Sequence, residues 1–190
     1  MGIFRHRCDT PERMTLFRQK YQVPDDVILQ LNGPEDPYNN RTEGLEFIHI
    51  PVMAIVEGGV RFPLSELLCR TLHFYNLSPM QCKVNTFCII MGIDRLNSLL
   101  GTHIGPQEIQ ALHSLVKHSE EDVYYLKIKN PKYRLVTDLP NSAKGRNDDF
   151  LIVSGGRYGR DAAGHPTGVT PPNRYARVCE YPNFRFLDSG

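Results

Sequence analysis

With 190 residues, 41% of them hydrophobic and 23% charged, the chain has the balance of a globular protein and is long enough to bury a core of its own. Lys and Arg number 22 against 21 Asp and Glu, and a formal charge of +1 creates too weak a field to gather phosphate polymers or an anionic membrane from a distance. No stretch has the apolar length of a signal or membrane helix, and the five cysteines form no C-x-x-C pair, so the expectation is a protein with reduced thiols and no membrane contact, intracellular, with nucleus and cytoplasm left undistinguished.

In chain order, Thr10 before Pro11 is a capping residue ahead of an N1 proline, and Met14, Phe17 and Tyr21 recur at helical spacing. Asp25 and Asp26 suit the positive start of a second helix burying Val27, Ile28 and Leu31. The run NGPEDPYNNRTEG that follows is dense in turn formers and reads as a hinge, so residues 1–44 are expected to form a helical appendage and loop. Next come a short helix through Val52 to Val56, a turn at Gly58 and Gly59, and a longer helix whose Leu64, Leu67, Leu68, Leu72 and Tyr75 share one face. Asn85 caps a further helix in which Ile89, Ile93, Leu96 and Leu100 make one stripe and Phe87, Ile90 and Met91 a second, with Gly101 ending it. Gly105 and Pro106 open another helix that directs Ile109, Leu112 and Val116 inward and places Lys117 and His118 at its negative end.

Beyond this point the period changes. DVYYLKIKNPKYRLVTDL and DDFLIVSG are rich in β-branched and aromatic residues at strand length, which predicts three strands, with Asn130, Pro131 and Lys132 turning a hairpin between the first two. The fold class is therefore α+β, a mainly helical middle section with a small antiparallel three-stranded sheet. Residues 45–156 form the main domain, and residues 157–190, rich in glycine and proline without sustained period, form an irregular tail.

The residues that could carry chemistry are scattered. Seven histidines lack ligand spacing to cysteines or carboxylates, and His113 and His118 stand five apart on the expected helix, on diverging faces. Neither a G-x-S-x-G elbow nor a P-loop is present; Ser154 reads as a strand end and GGRYGR lacks the lysine and helix that hold a phosphate. The paired acids Asp25–Asp26, Glu120–Glu121 and Asp148–Asp149 are neighbours in sequence, and adjacent strand residues point to opposite faces, so they read as solvated charges rather than converging metal ligands. No catalytic residue, metal or cofactor is assigned.

One pattern suits a binding surface. Lys127, Lys129, Lys132 and Arg134 lie on the expected hairpin, followed by Arg157, Tyr158, Arg160, Arg174, Tyr175 and Arg177. Cations neutralise phosphates and tyrosines stack on bases, so these ten residues are the candidate nucleic-acid contacts; against this, edge strands carry lysine simply to discourage aggregation.

From Ile50 to Gly101 the sequence resembles the plant gypsy-type transposon, or retrotransposon gag-related, protein domain. Gly59, Arg61, Phe62, Pro63 and Leu64 match its G-hydrophobic-R-hydrophobic-P-L signature, Asn76, Leu77, Ser78 and Pro79 its turn, and Asn85 its capped helix. Tyr124, Tyr125, Leu139, Pro140, Ser142, Lys144, Gly145 and Phe150 match a later element, so that the resemblance covers about residues 45–156. Members commonly carry tryptophan near the position of Arg146, and this chain has none. The resemblance implies a non-enzymatic domain of mobile-element origin that mediates macromolecular interaction or assembly in a gag-like protein, through a protein partner or self-association. The alternatives are a DNA-binding or transposase-associated module and an enzyme of unknown class.

Overall fold

The computed structural model describes residues 4–32, 47–119, 123–140 and 149–157. Helix α1 spans Pro11–Lys20, and the Thr10 side chain accepts from the Arg13 amide at its start. Strand β1 (Val27–Leu31) follows, then β2 (Ile48–Pro51), which runs directly into α2 (Val52–Val56). Helix α3 (Glu66–Phe74) is capped by Ser65, and α4 (Val84–Leu100) ends on Gly101 at φ 63°, the left-handed conformation that glycine adopts without a Cβ penalty. Helix α5 (Pro106–Leu112) opens at Gly105, whose amide donates to the Glu108 carboxylate. Strands β3 (His113–Lys117), β4 (Tyr124–Ile128) and β5 (Phe150–Gly155) complete the described elements.

The α+β class holds: a three-stranded antiparallel sheet in the order β1-β5-β2 accompanies the helices, with a separate β3-β4 hairpin. The strands differ from expectation in four places, the first being Ile48–Pro51, which no periodicity had marked and which pairs with β5. Val27–Leu31, expected in a helix, is a strand because Val27 and Ile28 pair with Gly155 and Ser154 of β5; the acidic pair before it is a local signal that a partner far along the chain overrides. The helix expected to reach His118 stops at Leu112, and His113–Lys117 pairs with β4 instead. The expected strand after Asn130 is absent: Pro131–Tyr133 forms a 3-10 turn, held by the Asn130 side chain accepting from the Lys132 amide at 3.0 Å, and residues 134–140 have no regular structure.

The core lies between the inner face of the sheet and the α3–α4 pair. Val27, Ile48, Ile50, Leu151 and Val153 alternate inward from the three strands and meet Leu68, Leu72, Phe87, Ile90 and Ile93 in one buried cluster. The expected stripe of α3 is buried throughout, whereas that of α4 fails at its end, where Leu100 is exposed. Phe4, Phe17 and Tyr21 belong to the same cluster, so residues 4–32 share the core of the main domain and the expected boundary at 44/45 does not divide two cores. Arg18 ties this segment down, its guanidinium donating to the carbonyls of Val27 and Pro24 at 2.7 Å each. On the outer face of the sheet Phe150 and Ile152 pack with Met80 in a second, smaller cluster.

Candidate functional site

The β4 strand and the turn after it present the basic residues singled out in the sequence. Tyr124 and Leu126 alternate inward to the core, which turns Lys127 to solvent. The Lys129 amide donates to Leu112 O at 2.9 Å and its ammonium to Gln110 O at 2.8 Å, anchoring the start of the turn on α5. The Tyr133 and Arg134 amides then close on Asn130 and Pro131. The exit is pinned on α4, where Val136 sits so close to Gly92 that a Cβ there would lie 2.7 Å from Val136 Cγ2. A corner held at both ends therefore exposes Lys127, Lys129, Lys132 and Arg134 together with Tyr133, 62% exposed, and Leu135.

Of the later residues, Arg157 corrects the expectation. It is buried, its guanidinium directed to Gly155 O at 3.5 Å while its own carbonyl accepts from the Leu64 amide at 2.7 Å, so it does not stand with the exposed cations of the corner. Tyr158, Arg160, Arg174, Tyr175 and Arg177 lie outside the described residues. Tyr133 and Leu135 were not singled out in the sequence, because KYRL at strand length suggests alternating burial; the signal for their exposure was the Asn130-Pro131 pair, which starts a turn and removes a ladder donor.

Burial shifts several thiols and two histidines toward their neutral forms. Burial pushes the Cys8 thiol up to about 11 and those of Cys69 and Cys82 up to about 12. Cys88 is half-buried in an open groove of about 490 Å³ with Glu57, Met91, Asp94 and Arg95; burial and the Glu57 charge raise its pKa, and its sulfur donates to Glu57 O at 3.4 Å. That groove thus offers a protonated thiol rather than a nucleophile. Burial lowers the pKa of His113, whose Nδ1 lies 3.2 Å from Ile109 O, and that of His49, whose ring lies edge-on between Phe47 and Phe150. Asp149, expected as a solvated charge, is buried with its carboxylate 4.0 Å from Arg5. Among the described residues no three His, Cys, Asp or Glu side chains converge as metal ligands, and no helix is long and apolar enough to cross a membrane.

Comparison of the chain with protein-family models, with curated proteins and with solved structures gave no match.

Proposed function

We propose that this chain is a non-enzymatic domain of mobile-element origin that works in macromolecular assembly, as part of a gag-like protein, and that its corner at Lys127–Leu135 contacts the partner. The observation that carries the reading is the exposure of an aromatic and an aliphatic side chain, Tyr133 and Leu135, among four exposed cations in a turn anchored on α4 and α5. An exposed tyrosine beside arginine is the composition of an interface anchor, and a pinned turn loses little entropy when it docks. The resemblance of residues 45–156 to gag-related domains supports the same reading.

A DNA-binding or transposase-associated module is the second reading, favoured by the same four cations. Two measurements separate them. In sedimentation velocity over increasing protein concentration, assembly gives a rising sedimentation coefficient that Tyr133→Ser with Leu135→Ser reduces. On immobilised duplex, DNA binding gives retention whose logarithm falls with log salt by about 0.9 per phosphate neutralised, and replacing Lys127, Lys129, Lys132 and Arg134 by alanine abolishes it. A chain that stays monomeric at all concentrations and shows no salt-dependent retention refutes self-association through this corner and DNA binding alike.

A further inference from the structure

We propose that strand β1 is a self-pairing edge, through which two copies of this chain join their three-stranded sheets around a two-fold axis at Gln30. The proposal rests on the assembly reading above and adds a second surface, with a second copy of the chain as its partner. The backbone pattern of the sheet is its starting point. The Gly156 amide donates to Asp26 O at 2.9 Å and the Asn32 amide to Phe150 O at 3.2 Å, so the even-numbered residues of β1 face β5. The main-chain groups of Val27, Leu29 and Leu31 consequently point away from the sheet. Those of Val27 are taken, its N–H by Pro24 O at 3.1 Å and its carbonyl by Arg18 at 2.7 Å. Leu29 and Leu31 have no hydrogen bond on that side among the described residues.

The other edges carry the features that discourage strand addition, and β1 does not. The outward positions of β2 are His49 and Pro51, and proline has no N–H to offer. The β3-β4 hairpin carries Lys117 and Lys127 and continues into Lys129. Strand β1 reads Val-Ile-Leu-Gln-Leu, with neither charge nor proline, and its Ile28 is 56% exposed.

The open groups select one register. Pairing Leu29 with its own copy would set Leu31 against Val27, whose groups are occupied. Pairing Leu29 of one copy with Leu31 of the other satisfies two N–H and two C=O groups on each chain and places Gln30 opposite Gln30 as a non-hydrogen-bonded pair, about 4.5 Å between Cα atoms. The two carboxamides can then donate to and accept from each other. The window is closed at its Val27 end, where the N–H is held by Pro24 O and the carbonyl by Arg18. A second copy offers a window of the same length and the complementary groups, whereas a peptide running past Leu29 finds the groups of Val27 already taken. The result is one continuous sheet in the order β2-β5-β1-β1-β5-β2. A contact of two five-residue strands falls below the roughly 1,000 Å² of a stable interface, so the dimer is weak and depends on concentration.

The test uses the full chain with Cys88 and Cys179 replaced by serine. Sedimentation equilibrium is expected to show a monomer–dimer equilibrium that Gln30→Lys, which sets two ammonium groups across the axis, weakens at least tenfold without lowering the melting temperature. Amide exchange at Leu29 and Leu31 should slow as protein concentration rises, and Gln30→Cys should cross-link on oxidation faster than Ile28→Cys. Association that Gln30→Lys leaves unchanged but Tyr133→Ser with Leu135→Ser removes would overturn the β1 edge and keep the assembly reading. A chain that is monomeric in all variants overturns the edge and the self-association on which it rests. Protection of Leu29 and Leu31 only on addition of an uncharged extended peptide to a monomer overturns the second copy as occupant.

Discussion

Replacing Leu151 by alanine tests whether the β1-β5-β2 sheet and the N-terminal segment form one cooperative unit. Leu151 is fully buried on the central strand, opposite Leu31 of β1 and Ile50 of β2. Its truncation leaves a cavity whose floor is backbone hydrogen-bonded on both sides, so the neighbours cannot collapse into it, and the cost falls in the upper part of the range for buried leucines, about 3–5 kcal/mol. For a chain of this size each kcal/mol moves the melting temperature by about 2–4 °C, giving a fall of about 6–20 °C. Urea unfolding should report the same loss as a lower midpoint with an unchanged slope. Leu100→Ala is the control; that side chain is 69% exposed and its removal should change stability by no more than about 0.5 kcal/mol. Amide exchange in α1 should accelerate together with that in α4, because Phe17 and Tyr21 share the cluster of Leu151. A loss for Leu151→Ala below about 1 kcal/mol, or faster exchange in α4 with α1 unaffected, would refute the single core.

The pH dependence of stability follows from His113 and His49. Burial holds both below the ordinary histidine value of 6.5, so the unfolded chain binds protons more readily than the folded one as pH falls. Stability should be complete above pH 6.5 and decline as pH drops through the lowered folded values, and His113→Gln should flatten that decline in urea titrations between neutral and mildly acidic pH; a wild-type profile retained in the variant would exclude His113 as the source. Thiol accessibility gives another check. In a Cys179→Ser background at pH 8, an aromatic disulfide reagent should modify Cys88 slowly and leave Cys8, Cys69 and Cys82 untouched until the protein unfolds, because burial keeps all of them protonated. Prompt labelling of any of the three buried thiols in the native protein would contradict the packing.

What could be read from the sequence was whatever is decided within a few residues. Thr10 with Pro11, Gly101, and Gly105 with Pro106 marked helix ends because capping is a matter of one side chain or one φ angle. The leucine stripe of α3 is buried as its spacing required, since a helix with one oily face has a single way to hide it. The exposure of Lys127, Lys132 and Arg134 was legible for the same reason: long charged side chains stay in water unless paired.

Only the tertiary structure decided the rest. Val27–Leu31 is a strand because β5, more than a hundred residues later, supplies the hydrogen-bond partners, and no local propensity records that pairing. Arg157 and Asp149 are buried against the usual habit of their residue types, with the Leu64 amide bonded to Arg157 O and Arg5 4.0 Å from the Asp149 carboxylate, contacts between residues remote in the chain. Which main-chain groups of β1 face away from β5 depends on which side of the strand its neighbour occupies. Side-chain type and spacing are properties of the chain; partnership between distant backbone groups exists only once it has folded.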